Sequence, residues 1–379
     1  MNVVILSPQY PANHYYFCAN LKKLGATVLG IADENYENLH EDLKSVLTEY
    51  YKVTNMHDYD QLVRAMGYFT HKYGKIDCFD SHNEYWVETD AGIRTDFNIS
   101  GVKNEAIKQI KQKSLMEKRL KRAGVTTVPS KVVRTLKEAT NFIKKIGYPV
   151  VARPDVEIGA TIAYKVNNQQ ELMDFFTNKI WAEYFIESFI TGKKYSFDGL
   201  ADHEGNPVFY TSNIFSEGAK KTANNDSDTY YYSLRHIPKN LEEAGMKTLK
   251  AFDIRDGFFH FEFMITPEDE VVALGVNMCP PNNLTMDMFN FANDVDLYYE
   301  WGNIVMNGSR LIDYSRKYHC AYIGRKATQD YAHSHEEIME KYGEIIVKNE
   351  LVSGSNYGYV ARSQELSDIL EIIDFIHAQ

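Results

Sequence analysis

Short apolar runs alternate with helically spaced polar segments over the first hundred positions. "MNVVIL", "ATVLGIA" and "KIDCFD" are rich in β-branched and apolar residues, which favour strands. The segment "YYFCANLKKLG" between the first two has helical spacing and ends at Gly25. This strand–helix–strand order predicts a parallel α/β domain. The region contains no G-x-G-x-x-G motif, so an ordinary dinucleotide site is not predicted.

The pattern changes near residue 105. "NEAIKQIKQKSLMEKRLKRAG" predicts one long basic helix that ends at Gly124, and "YPVVARPDVEIGATIAYKV" predicts a hairpin between two further helices. From "WAEYFIESFI" to Asn277 the chain is predicted to be mostly antiparallel strands, and after Ser315 two helices are expected. We therefore expect an α/β and α+β protein with four parts, bounded at residues 1–104, 105–186, 187–314 and 315–379.

One predicted hairpin carries polar residues on a single face. Folding about the turn "PEDE" places Glu262 opposite Gly275 and His260 opposite Asn277. Because side chains alternate along a strand, these polar residues lie together beside the space that Gly275 leaves. Oxygen ligands at this spacing suit Mg²⁺, whereas a strand face exposed to water explains the same residues. From the hairpin alone the hydrated face is favoured, and Asn277 serves either a turn or a ligand.

Composition narrows the class of protein. The 379 residues suffice for two or three domains, and the net charge of −11 argues against nonspecific nucleic-acid binding. The four cysteines form no C-x-x-C pair and fit no zinc pattern. With no signal-like N-terminus and no apolar run of membrane length, we expect a cytoplasmic protein without nucleic-acid or membrane partners.

Four separated segments occur in a characteristic order: "IKQKSLMEKRLKRAGVTTVPS", "IGYPVVARPDVEIGA", "IESFITGKKYSFDG" and "FFHFEF…LGVNMCPPNN". Together they resemble the ATP-grasp ligases, and in particular bacterial carboxylate–amine ligase-like members, up to about residue 310. The resemblance implies a pre-ATP-grasp domain at 1–104, two ATP-grasp subdomains at 105–186 and 187–314, and a C-terminal extension. It also implies ATP and Mg²⁺ as cofactors, a small carboxylate and an amine as substrates, an acyl-phosphate intermediate, and a homodimer by analogy.

The resemblance assigns nucleotide-binding roles by position. Lys113 matches the first phosphate-binding lysine, and Arg153 replaces the second, where a guanidinium can bind phosphate and act in catalysis. A solvated helix charge and a salt bridge are the alternatives for these two residues. The loop "DVEIGA" would cover phosphate through Gly159 and Ala160, with Glu157 where glycine is expected. The adenine hinge "IESFI" comprises Glu187, Phe189 and Ile190.

The hairpin matches the metal site of the family, with departures. Glu262 and Asn277 match metal ligands, but Gly275 replaces the second glutamate and Cys279 replaces an arginine. Lys193 and Lys194 follow Gly192, so ribose binding by a carboxylate is unsupported, and Asn282 and Asn283 replace a glycine pair.

Two alternative functions follow from these matches and departures. The slightly favoured one is an ATP- and Mg²⁺-dependent ligase, and the alternative is a catalytically inactive pseudo-ligase that binds nucleotide or a small acid, or regulates a partner.

A polar group in the first domain completes the candidates. Asn83, Glu84, Asp90 and Arg94 match the substrate-side or interdomain residues of this branch of the family. A structural hydrogen-bond network explains them equally well.

Overall fold

The computed structural model describes residues 1–156, 163–179, 182–216, 229–281, 284–308, 312–352 and 356–379. The N-terminal domain has a parallel four-stranded sheet in the order β3-β2-β1-β4. Its apolar runs are buried because both faces of the sheet are covered. The elements are β1 Asn2–Leu6, α1 Tyr15–Lys23, β2 Thr27–Ala32, α2 Glu41–Val46, β3 Glu49–Lys52, α3 Tyr59–Tyr73, β4 Cys78–Asp80 and α4 Val87–Asp96.

A second, antiparallel four-stranded sheet follows in the order β5-β8-β6-β7. Its helices bury apolar side chains against it, which gives this part a core of its own. The elements are α5 Asn104–Lys111, α6 Lys113–Arg122, β5 Ser130–Val133, α7 Leu136–Ile146, β6 Val150–Pro154, β7 Tyr164–Val166, α8 Gln169–Asn178 and β8 Tyr184–Ser188.

The prediction of one long basic helix is wrong, because the chain is extended at Gln112. Gln112 has φ −97° and ψ 110° and forms a β-bridge with Val156, so the helix divides into α5 and α6. Asp155 stabilises this break, since its backbone carbonyl accepts the Lys113 N–H at 2.8 Å. Lys113 is therefore the first residue of a helix rather than a residue in the middle of one.

The largest sheet has nine strands in the order β14-β13-β9-β11-β12-β15-β17-β16, with β10 paired to β9. The strands of the C-terminal part join this sheet instead of forming a sheet of their own. The elements are β9 Lys193–Ala201, β10 Pro207–Thr211, β11 Asn213–Phe215, β12 Thr229–Ser233, α9 Lys239–Phe252, β13 Gly257–Ile265, β14 Val271–Asn277, α10 Thr285–Asn293, α11 Leu297–Asn307, β15 His319–Arg325, α12 His335–Tyr342, β16 Ile346–Val352, β17 Asn356–Ser363 and α13 Leu366–His377.

Helix α9 interrupts the run of strands that the sequence predicts before Asn277. Its buried face includes Gly245 and Thr248. Because neither residue has a large apolar side chain, the sequence lacks the regular apolar spacing by which a helix is predicted. A Cβ at Gly245 would lie 2.4 Å from the ring of Phe197 on β9, so the close helix–sheet contact needs glycine. Among the described residues, no helix is both long and apolar enough to cross a membrane.

Candidate functional site

The polar hairpin forms with the predicted register. His260 on β13 lies opposite Asn277 on β14, and Glu262 lies opposite Gly275, with a register shift just beyond Glu262. An ideal Cβ built on Gly275 would lie 3.4 Å from Glu262 Oε2. The space left by the glycine is therefore bordered by the glutamate carboxylate, as the pairing predicts.

Asn277 makes the hydrogen bonds of a turn residue. Its side-chain oxygen accepts the Met278 N–H at 2.8 Å and the Cys279 thiol at 3.2 Å. These bonds stabilise the chain where β14 ends, which is one of the two roles that the sequence left open. Metal binding by Asn277 stays a prediction.

A third strand adds charged groups to the same face. Strand β9 pairs with β13 so that Asp198 lies opposite His260 and Ser196 opposite Glu262, which places Lys194 on this face as well. Asp198 is fully buried, and its Oδ1 lies 2.5 Å from His260 Nδ1. The sequence analysis predicted strands in this region but missed the contribution of this strand to the site, although the polar residues Lys194, Ser196 and Asp198 already alternate in "KKYSFD".

Two protein cations contact the glutamate of the hairpin. Lys194 Nζ donates to Glu262 Oε1 at 2.5 Å, and His260 Nε2 lies 3.8 Å from the same oxygen. Burial acts to raise the pKa of Glu262, but the charges of Lys194 and His260 hold this pKa well below its ordinary value. Burial likewise acts to lower the pKa of His260, and the carboxylates of Asp198 and Glu262 raise it to about 10. The imidazole is therefore protonated at neutral pH.

The antiparallel four-stranded sheet brings together residues predicted to bind nucleotide. Arg153 on β6 forms a hydrogen-bonded ion pair with Glu187 on the neighbouring β8. The Nε of Arg153 is buried and has no hydrogen-bond partner among the residues that the structure describes. The guanidinium thus has a free donor for an acceptor such as a phosphate oxygen, although one edge already binds a carboxylate.

Asp155 connects this sheet to Lys113. Besides the backbone bond to Lys113, its carboxylate accepts the Ser114 N–H at 2.7 Å, the Ser114 hydroxyl at 2.8 Å and the Gln112 side-chain amide at 2.8 Å. Only 2% of Asp155 is exposed. The first residue of α6, Lys113, is therefore hydrogen-bonded through its backbone to Asp155, which follows Arg153 by two residues along the chain.

Comparison with known proteins bears on the fold. Residues 146–282 match the family model described as ATP-grasp domain. The chain has the ATP-grasp fold. The L-amino acid ligase from Bacillus licheniformis superposes with a TM-score of 0.74 at 12% identity, over 100% of this chain and 98% of that chain. The N5-carboxyaminoimidazole synthetase from Staphylococcus aureus, complexed with ADP, gives 0.74 at 13% identity over 98% and 96%.

The ATP-grasp resemblance and the predicted fold class are thereby confirmed. The carbamoyl phosphate synthase large chain of Thermotoga petrophila is 26% identical over 187 residues, which are 47% of this chain and 17% of that protein. The match thus spans about a sixth of the relative's length. This chain resembles ATP-grasp ligases, and which reaction it performs is a separate question.

The residues predicted to bind metal, Glu262 and Asn277, do not fit Mg²⁺. The ion prefers six oxygens at about 2.0–2.1 Å, and no group of three or more His, Cys, Asp or Glu side chains in the described part of the chain is arranged to hold a metal. Glu262 Oε1 already contacts the ammonium of Lys194. A dication about 4 Å from an ammonium is repelled by roughly 8 kcal/mol at an effective dielectric constant of 20.

The predicted adenine hinge has one of its backbone donors engaged. The Phe189 N–H donates to the Pro149 carbonyl at 3.1 Å, and the ammonium of Lys165 lies 4.0 Å from the centre of the Phe189 ring. A purine at this hinge would therefore need a donor other than the Phe189 amide. The roles of Phe189 and Ile190 stay predictions.

The phosphate-covering loop and the residues after the hairpin lie outside the described residues. This applies to Glu157, Gly159 and Ala160, and to Asn282 and Asn283. Their predicted roles are unchanged.

The polar residues of the first domain border the chain that follows the hairpin. Asp80, Asp90 and Arg94 line a small cavity of about 20 Å³ together with Met278 and Cys279. Arg94 pairs with Asp80 at 2.6 Å. Burial, followed by the nearby carboxylates, raises the pKa of the Cys279 thiol well above its ordinary value. Cys279 is therefore a buried neutral thiol and not an activated nucleophile.

Asp90 makes stability depend on pH. Burial, and after it the charge of Asp80, raises the pKa of Asp90 from 3.8 to about 7. Between about pH 4 and pH 7 the folded state holds a proton on Asp90 that the unfolded state has released. The contribution of Asp90 to the free energy of unfolding is therefore complete below about pH 4 and is lost as pH rises through 7. We expect Asp90→Asn to flatten this fall, since Asn cannot ionise and still accepts from Ser81. Urea unfolding of the wild type and of Asp90→Asn at pH 4.5 and 7.5 measures this difference. If the free energy of unfolding falls as much between the two pH values in Asp90→Asn as in the wild type, the prediction is wrong.

Proposed function

We propose that this chain is a nucleotide-binding ATP-grasp protein that acts as a binding or regulatory partner rather than as an efficient ligase. Its nucleotide is ATP or ADP, bound beside the four-stranded antiparallel sheet. The observation that carries nucleotide binding is the joint placement of Lys113, Arg153 and Glu187 by Asp155 and the β6–β8 pairing. Phosphate would meet the Arg153 guanidinium, because a guanidinium can bind phosphate oxygens through charge-assisted hydrogen bonds.

Loss of efficient catalysis is inferred from the hairpin face. The place of the second carboxylate is Gly275, and the remaining carboxylate, Glu262, is neutralised by Lys194. Stabilisation of developing phosphoryl charge is usually a large catalytic contribution, and here the groups that would supply it are replaced. ATP binding tolerates such losses better than phosphoryl transfer does.

A second candidate is an active ATP- and Mg²⁺-dependent carboxylate–amine ligase that works through an acyl phosphate. The observation in its favour is the superposition on a ligase over the whole of this chain. A screen of paired acids and amines, with phosphate or ADP release as the readout, separates the two. Turnover of ATP that depends on an acid–amine pair would overturn the non-catalytic proposal. Homodimer formation stays a prediction from the family.

Nucleotide binding is tested at Arg153. We expect Arg153→Ala to weaken ADP binding by about 10- to 100-fold, because a charge-assisted hydrogen bond is worth roughly 1.5–3 kcal/mol. The control is Arg134→Ala, which breaks an ion pair with Glu183 at 2.5 Å on the same sheet, where Arg134 is 72% exposed. Calorimetric titration with ADP measures both variants. If wild type and Arg153→Ala bind ADP with equal affinity, Arg153 does not contribute to nucleotide binding.

A further inference from the structure

The glutamate of the hairpin face already has a positively charged partner. Lys194 pairs with Glu262, and the His260 imidazole contacts the Asp198 carboxylate. All four belong to adjacent strands, so the strand pairing itself fixes the arrangement. The lysine is 17% exposed and the histidine 17%, so neither is a freely moving surface group. A divalent ion added here would face the ammonium of Lys194 rather than a vacant carboxylate.

We infer that Lys194 takes the place of the divalent metal, so that nucleotide polyphosphate binds to this chain without Mg²⁺. The inference rests on the proposed nucleotide binding and extends it to a second group of residues, on the β9–β13 face of the nine-stranded sheet. The charge of Lys194 neutralises Glu262, which would otherwise repel a phosphate. The carboxylate of Glu262 in turn holds the ammonium at 2.5 Å on the face where phosphate is expected.

An ammonium can bridge a carboxylate and a phosphate much as a metal ion does. Lysine has three N–H donors, and the contact with Glu262 uses one of them. The others are directed away from that oxygen by tetrahedral geometry, with the Phe215 ring 5.3 Å from the nitrogen on another side. The imidazole of His260 lies between Asp198 and Glu262, 2.5 Å from Asp198 Oδ1 and 3.8 Å from Glu262 Oε1. The arrangement suits charge neutralisation but supplies no Lewis acid.

The test is calorimetric titration of the full chain with ADP, in EDTA and in millimolar Mg²⁺. For the wild type we expect affinities that agree within about twofold in the two conditions. Lys194→Met should bind ADP at least about tenfold more weakly in EDTA, because a charge-assisted contact is lost. Lys193→Met is the matched control, since the neighbouring side chain points to the other face and should leave both affinities unchanged.

A second measurement uses metal alone. Electron paramagnetic resonance with Mn²⁺ should detect no binding to wild type and measurable binding to Lys194→Met, because removing the ammonium frees Glu262. If Lys194→Met does not fold, Lys194→Arg replaces it and should keep Mg²⁺-independent ADP binding. A wild type that needs Mg²⁺ to bind ADP, or that binds Mn²⁺ through Glu262, overturns the inference and leaves nucleotide binding intact. A folded wild type that binds no ADP in either condition refutes the proposed function itself.

Discussion

Asp198→Ala should lower the free energy of unfolding by about 3–5 kcal/mol, the range found when one partner of a buried ion pair is removed. Asp198 is fully buried and holds His260 through a 2.5 Å contact. It also accepts a hydrogen bond from the Asn213 side chain at 3.1 Å. Without the carboxylate, the imidazole must lose its proton or remain as a buried charge with only Glu262 to compensate it. Urea unfolding at pH 7 measures the change.

An exposed pair of the same chemistry provides the control for Asp198. His203 Nδ1 lies 2.8 Å from Asp256 Oδ2, and His203 is 68% exposed. We expect His203→Ala to cost less than about 1 kcal/mol. The double variant Asp198→Ala with His260→Leu should recover part of the loss, because no uncompensated charge is left. A double variant as unstable as the sum of its single changes would show that the two residues do not act as a pair.

Asp155→Ala is expected to destabilise the chain by about 3 kcal/mol and to weaken ADP binding through displacement of α6. The substitution leaves the Ser114 N–H, the Ser114 hydroxyl and the Gln112 amide without their acceptor in a buried place. Since these bonds fix the helix that begins at Lys113, the predicted phosphate site loses its geometry as well as its stability. Unfolding and ADP titration measure the two effects separately.

The conservative change and an exposed aspartate test whether Asp155 acts by position. Asp155→Asn keeps one acceptor oxygen and should recover about half of the lost stability. Asp174→Ala, at an exposed position on α8, should change stability by less than about 0.5 kcal/mol. If Asp155→Ala loses stability while ADP affinity is unchanged, Asp155 is structural only and Lys113 is not held for phosphate.

Local patterns in the sequence determined the elements whose side chains repeat clearly. Alternation and a polar turn were enough to pair Glu262 with Gly275 and His260 with Asn277, because register follows directly from the period of a strand. The same reasoning failed for α9, where Gly245 and Thr248 interrupt the apolar face, and for the long basic helix, where Asp155 imposes a break at Gln112. A hydrogen bond from a distant residue leaves no trace in local periodicity.

By itself the sequence determined the ATP-grasp fold class, the parallel N-terminal domain and the departures at Gly275 and Cys279. Only the tertiary structure decided the electrostatics of the site. Lys194 and Asp198 are 68 and 62 residues from their partners Glu262 and His260 along the chain, and they meet them because β9 pairs with β13. Electrostatic energy depends on distances between atoms of such remote residues. From the sequence alone, Lys194 is expected in a solvated turn. In the folded chain it is the counterion of Glu262, the expected metal ligand.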